Sequence, residues 1–151
     1  MNRLESRRAY IRDGRSPIPK EGKTSNVMSA NKGSNTKPEI ALRKALFSLG
    51  ARGYRLHLKT EHGRPDLVFK GKKVAVFVHG CYWHRCTHCK LPIPKSNQGF
   101  WKEKFKRNKE RDSRKESGLR KDGWKVVVVW ECEIKKNPSL AAKRVRSAIK
   151  S

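Results

Sequence analysis

This chain is short of acidic residues and low in apolar ones for its length. Asp and Glu number 13 against 38 Lys and Arg, a formal net charge of +25 over 151 residues. That imbalance exceeds what solubility needs and points to a polyanionic partner, DNA or RNA ahead of an anionic membrane surface. Hydrophobic residues make up 35% of the chain, so the core is expected to be confined to the middle of a single domain. No apolar run approaches the roughly 20 residues that a membrane-spanning helix requires, which excludes that class. No hydrophobic stretch follows Met1-Asn2-Arg3-Leu4-Glu5, which reads against a secretory signal and for a cytoplasmic location. Disulfides are disfavoured there, so the four cysteines are expected as metal ligands rather than bridges.

What is present is concentrated. Residues 79–89, His79-Gly80-Cys81-Tyr82-Trp83-His84-Arg85-Cys86-Thr87-His88-Cys89, hold three of the four cysteines and three of the five histidines. Cys86-x-x-Cys89 has the spacing of a metal knuckle, Cys81 lies five residues upstream, and Cys132 follows a distant strand-like run. Four soft ligands suit a tetrahedral, structural Zn²⁺. His88 in place of Cys86 or Cys89 is a variant of the same site. A redox-active Cys86/Cys89 pair is the competing reading, but the flanking strand and helix expected of such a motif are missing. A closed metal site here would pin the loop so that His79, Tyr82, Trp83 and His84 project in fixed directions.

The remaining chain supplies the frame. Residues 1–25 are expected as a flexible basic arm with little apolar surface to bury. Thr36–Leu49 reads as a helix: Thr36 and Glu39 have capping-box spacing, and Leu42, Ala45, Leu46 and Leu49 make one stripe. Tyr54–Lys59 alternates as a half-buried strand would. Residues 66–70 and 73–78 read as a hairpin through Gly71-Lys72-Lys73, which brings Asp66 close to His79. A long basic helix is expected over Gln98–Ser117. Trp101, Phe105, Asn108 and Asp112 share one stripe of it, and Lys102, Lys106, Lys109 and Arg114 are left for phosphates. A salt bridge is the bland reading of Asp112. Trp124–Trp130 reads as the strongest strand, delivering Glu131-Cys132-Glu133. Residues 138–151 are expected as a basic C-terminal tail, a short helix carrying Leu140, Val145 and Ile149 and liable to fray.

These pieces suit phosphodiester hydrolysis, which needs a metal beside the phosphate, a base for water and an acid for the leaving oxygen. Asp66 is the hard-metal ligand expected for Mg²⁺. His79 and His84 are the acid–base or phosphate-contacting candidates. Tyr82 and Trp83 are either core aromatics or a wedge between base pairs. A zinc-stabilised, non-catalytic DNA-binding protein is the alternative that the charge alone supports, and a site-specific restriction-type endonuclease is the enzymatic one.

Five blocks, in order, resemble the very short patch repair (Vsr) DNA mismatch endonucleases: Asn35-Thr36-Lys37-Pro38-Glu39, Gly63–Phe69, Phe77–His84, Asn108–Asp112 and Gly123–Cys132. The likeness spans about residues 26–135, so a domain over 26–137 is expected. It implies an α/β fold with a restriction-endonuclease-like mixed central sheet flanked by helices and a structural zinc site. It implies nicking of double-stranded DNA beside the T of a T·G mismatch that arises from deamination of 5-methylcytosine, with catalytic Mg²⁺. By the same resemblance, Asp66 and the backbone carbonyl of Val78 hold Mg²⁺, and His84 acts on the attacking water. His79 contacts the scissile phosphate, Asp112 and Glu39 complete the catalytic group, and Met28 joins Tyr82 and Trp83 in the DNA wedge. Cys81, Cys86, Cys89 and Cys132 hold Zn²⁺, with Cys86 standing where the family often has His. A functional link to a DNA cytosine methyltransferase, contact with mismatch repair proteins, a nucleoid-associated place in the cytoplasm and a monomeric state follow from the same likeness.

Overall fold

The computed structural model describes residues 34–150; the basic arm of residues 1–25 and Met28 lie outside them. The expected mixed central sheet flanked by helices is what these residues form. In chain order the elements are helix α1 (Lys37–Ser48), β1 (Arg55–Leu56), β2 (Leu67–Phe69), β3 (Val74–His79), α2 (Gln98–Lys121), β4 (Lys125–Trp130), α3 (Glu131–Lys136) and α4 (Pro138–Lys150). The sheet order is β1-β2-β3-β4, antiparallel between the first three and parallel between β3 and β4.

Side-chain alternation along β3 and β4 divides the core in two. Val74, Val76 and Val129 face α1, α3 and α4, where Leu42, Leu46, Ile134, Ala142 and Val145 close the larger cluster. Ala75 and Phe77 face the other way, onto Leu119 of α2 and half-buried Trp124, Val126 and Val128. A strand buried on both faces reads as a continuous apolar run, which is why Val74–Val78 shows no polar alternation.

The hairpin forms as expected. Leu67 pairs with Val76 and Phe69 with Val74, and a 3-10 turn at Lys70–Lys72 ends on Lys73 in the left-handed region at φ 51°. The parallel pairing of β3 with β4 sets His79 beside Trp130. Both strands therefore end at the same edge of the sheet, and the loops that follow them meet there. Helix α1 begins as its sequence predicts, with Thr36 Oγ1 accepting from the Glu39 N–H at 3.4 Å.

Three expectations change. The strand expected over Tyr54–Lys59 pairs only at Arg55 and Leu56, both exposed, because His57 turns into the left-handed region at φ 50°. Helix α2 runs to Lys121, past the expected stop at Ser117, because Leu119 buries its side chain against the sheet. It ends instead at Gly123, φ 86°, where the Trp124 N–H donates to Leu119 O. Residues 138–150 are not a fraying tail. Asn137 caps α4 by accepting from the Leu140 N–H at 3.1 Å, and Ala141, Ala142 and Val145 are fully enclosed against α1. The small alanines let the two helices approach closely, and of the three apolar residues expected on the helix Val145 is buried whereas Leu140 is 59% exposed.

Candidate active site

The end of β3 feeds two clusters. In the first, the Sγ atoms of Cys81, Cys86, Cys89 and Cys132 all lie within 4.8 Å of one another. Cys86 and Cys132 sulfurs stand 3.8 Å apart, and the Cys132 N–H donates to Cys81 Sγ at 3.4 Å. Four sulfurs at about 2.3 Å from a tetrahedral centre would be about 3.8 Å apart, so the donor set fits a metal of zinc's size and softness. Burial holds the Cys81 thiol far above the ordinary thiol range, and a bound cation would reverse that by stabilising the thiolate. His88 is exposed and is not a member of the group.

The second cluster is built on the hairpin. The Asp66 N–H donates to Val76 O, and Asp66 Oδ2 accepts from the Val78 N–H at 2.7 Å. The carboxylate is thus clamped to the strand beside the Val78 carbonyl. Burial pushes its pKa up to about 7, against the Val78 hydrogen bond, and the neighbouring Glu39 adds to the rise. Glu39 itself is 5% exposed. Its Oε2 accepts from the Asn35 N–H at 3.0 Å and its Oε1 from the Thr36 hydroxyl at 3.3 Å. The capping role expected from sequence is therefore present, and the same carboxylate also reaches Asp66. Carboxylates and a backbone carbonyl are the oxygen donors that a hard divalent cation takes.

Next to Asp66, the rings of His79 and His84 stack with centroids 4.0 Å apart and planes 4° from parallel. His79 is buried, edge-on to Trp130 at 5.2 Å. Burial, with the charge of His84 behind it, lowers its pKa to about 4, so it stands neutral at pH 7. His84 Nδ1 is 2.5 Å from Asp112 Oδ2. Burial alone would raise the Asp112 carboxyl, but the hydrogen bond and charge of His84, then His79 and Lys115, hold it below the ordinary range. An Nδ1–H donated to a carboxylate leaves His84 Nε2 as the acceptor, the tautomer a general base needs.

Tyr82 and Trp83 meet edge to face at 5.0 Å, and Tyr82 lies edge-on to Phe105 of α2 at 5.5 Å. Both are half-buried, so each has a packed side and an open one. Asn108 of α2 donates to Trp83 O at 3.2 Å. The loop and α2 are in this way held together on the stripe that also carries Asp112. A cleft of about 450 Å³ opens between Glu39, Arg64, Asp66, His79, Tyr82 and Trp83. Of the residues expected from sequence, Glu39, Asp66, Val78, His79, Tyr82, Trp83, His84 and Asp112 all line it. Sequence reasoning did not single out Arg64 and Lys115, which also line the cleft, or His57, which does not. His57 lies with Glu39 and Asp66 in a group whose ligand atoms are within 4.8 Å of one another. In the sequence it is one position of an alternating strand, and no spacing distinguishes it.

Comparisons with known proteins bear on the family of the chain. Residues 18–91 match the family model described as DNA mismatch endonuclease Vsr. A type II nicking enzyme, V.NmeAIP, of Neisseria meningitidis serogroup A is 44% identical over 128 residues, which cover 85% of this chain and 90% of that protein. The type II nicking enzyme V.XorIIP of Xanthomonas oryzae is 42% identical, over 78% of this chain and 85% of its own. The DNA mismatch endonuclease Vsr of Escherichia coli is 39% identical over 64% of each. Among solved structures, the catalytic domain of the homing endonuclease I-Bth0305I shares the fold at a TM-score of 0.50 and 21% identity, covering 76% of this chain and 94% of that one. The identity and coverage of the Neisseria and Xanthomonas relatives, together with the family match, mean that the chain belongs to the Vsr family of mismatch endonucleases.

Proposed function

We propose that the protein nicks one strand of duplex DNA beside the T of a T·G mismatch, the lesion left by deamination of 5-methylcytosine. The observation that carries this reading is the juxtaposition of the clamped Asp66 carboxylate with the stacked His79–His84 pair and Asp112. Asp66 and the Val78 carbonyl would hold Mg²⁺, which supplies Lewis acidity at the phosphate and a water acidified towards neutrality. His84 Nε2 takes the proton from the attacking water, while Asp112 fixes the ring and offsets the charge that it gains. His79, neutral, hydrogen-bonds the scissile phosphate without adding a competing proton. Glu39 sits beside Asp66 as a further oxygen donor. The open sides of Tyr82 and Trp83, with Met28 from outside the described residues, wedge into the duplex and widen it at the mismatch. Lys102, Lys106 and Lys109, all exposed on α2, would hold the flanking phosphates.

Zn²⁺ on Cys81, Cys86, Cys89 and Cys132 would fix the loop between β3 and α2, and so the direction in which His84 and the wedge point. One such centre suffices for one nick, consistent with a monomer. A cytosine methyltransferase creates the need for the activity, and mismatch repair proteins are its natural companions in the nucleoid. None of the described helices is long and apolar enough to cross a membrane.

The test uses zinc-loaded protein, Mg²⁺ and end-labelled duplexes that carry T·G or the matched pair, with Asp66→Ala as control. A single break beside the mismatched T, absent in the control, is expected. Cleavage of both strands of matched DNA would replace the reading with a restriction endonuclease. Tight binding with no break across a panel of flanking sequences would replace it with a non-catalytic DNA-binding protein.

A further inference from the structure

His57 is the one polar side chain at the centre whose position has no explanation within the fold. Its backbone is turned to φ 50°, a region that a non-glycine residue enters at a cost of about 1–3 kcal/mol. The turn ends strand pairing at Leu56, while the His57 N–H still donates to Asp66 O at 3.3 Å. The result is that the ring lies over the two carboxylates. Its Nε2 is screened from solvent and has no hydrogen-bond partner among the described residues. The nearest candidate, Glu39 Oε2, stands 3.7 Å away and already accepts from the Asn35 N–H. A buried ring nitrogen left without a partner costs about 1–3 kcal/mol, so such atoms normally find one.

The ligand atoms of Glu39, His57 and Asp66 lie within 4.8 Å of one another. Donors bound at about 2.0–2.2 Å to one ion stand up to about 4.4 Å apart, and the 3.7 Å between His57 Nε2 and Glu39 Oε2 lies within that range. We propose that His57 is a further protein ligand of the metal centre, its Nε2 joining the carboxylates of Glu39 and Asp66 around a divalent first-row transition ion such as Mn²⁺. This rests on the nuclease reading for the centre's purpose but not for its existence. The ligand set explains the choice of ion. Mg²⁺ takes oxygen donors and keeps its waters, whereas a first-row transition ion accepts an imidazole nitrogen readily. The centre would therefore hold Mn²⁺ more tightly than two carboxylates and a carbonyl alone account for.

The experiment is Mn²⁺ binding by the full-length, zinc-loaded protein without DNA, followed by electron paramagnetic resonance. Wild type is compared with His57→Ala and with His57→Gln, which preserves bulk. Zinc content and far-ultraviolet circular dichroism confirm that each variant is folded. The expected result is a ¹⁴N modulation on the Mn²⁺ signal of wild type that is lost in both variants, with affinity weakened on the order of 10- to 100-fold. A signal without nitrogen coupling in wild type, or coupling and affinity unchanged in folded variants, would overturn the assignment and leave His57 as a neighbour of Glu39 with no role at the metal. Because no DNA is present, a failure to nick T·G duplexes counts against the nuclease reading alone. Unchanged Mn²⁺ binding by the variants of an active nickase counts against His57 alone.

Discussion

The two clusters at the end of β3 are both built of ionisable side chains and are in opposite states. Around Cys81, Cys86, Cys89 and Cys132 every ligand atom converges on one point, and even the backbone helps, with the Cys132 N–H on Cys81 Sγ. Around Asp66 the groups work against one another. Two carboxylates share a buried corner, one of them with its pKa raised to about 7, His79 is held neutral at about 4, and His57 Nε2 lacks a partner. A site whose job is to hold the chain together can satisfy all its members. A site whose job is to act on something else keeps members waiting for what is to come, and it holds them at a cost in stability.

The largest effect that would test this contrast is removal of the metal from the cysteine cluster. Cys132→Ser, or a strong chelator, is expected to destabilise the protein by several kcal/mol, since structural zinc contributes about 10–16 kcal/mol to the folding of small zinc domains. Thermal denaturation with and without added Zn²⁺ measures it. An unchanged Tm would mean that the thiols pack adequately on their own and that the cluster is no anchor.

The next effect falls on rate rather than on stability. Asp112→Asn keeps the shape of the side chain but offers His84 Nδ1 no carboxylate. Nicking should fall by about 10²–10⁴-fold while Tm stays within a few degrees, the pattern expected when the orienter of a general base is lost. Equal losses in rate and Tm would return Asp112 to the role of an ordinary salt bridge.

The difference between the clusters also decides what the sequence could reveal. The cysteines announce themselves by spacing, and the core strands by uninterrupted runs such as Val74–Val78 and Val126–Val129. The Asp66–His79 approach follows from a hairpin that its turn residues specify. His84 and Asp112 meet across 28 residues only because the loop folds back on α2, and nothing in either segment encodes that distance; the family resemblance implied only that both belong to the catalytic group. His57 escaped altogether, because a side chain in the left-handed region is placed by its surroundings and not by its own preference. At α4 the expected helix and the burial of Val145 are present, but the packing through Ala141 and Ala142 is not legible, because small residues give a weak apolar signal.

A smaller effect tests the cost of the strained site. Asp66 has a folded pKa near 7 against 3.8 for the free side chain, so the folded protein binds the proton more tightly than the unfolded one. Stability should therefore be fullest below about pH 4 as far as this group is concerned, should fall as pH rises from about 4 to about 7, and should level off above that. Asp66→Asn removes that slope. In Mg²⁺-free buffer at pH 8 the variant is expected to be more stable than wild type by on the order of 1–2 kcal/mol, discounted because the carboxylate is only half-buried. Denaturant titrations at pH 5 and pH 8 make the comparison. A variant less stable than wild type at pH 8 would mean that the Val78 N–H bond outweighs the desolvation.

The smallest effect concerns a third cluster, Glu61, His62 and Asp122, which is largely exposed. His62 Nε2 pairs with Asp122 Oδ2 at 2.9 Å, and its ring lies directly on Gly118 of α2, where an added Cβ would stand 2.5 Å from the ring Cγ. Gly118→Ala would push the ring aside and open the pair. Lost with it is an exposed ion pair worth up to about 1 kcal/mol, and gained is about 1 kcal/mol of helix propensity. The two nearly cancel, so Tm is expected to stay within a few degrees and nicking within about threefold. His62 stands four residues before Asp66, however, and the turn between Thr60 and Gly63 that carries it is held by the Thr60 hydroxyl on Gly63 O at 2.8 Å. A loss of about tenfold or more in nicking at unchanged Tm, roughly 1.4 kcal/mol of barrier, would show that the exposed pair aims Asp66. The cluster would then belong with the reactive centre rather than with the anchors.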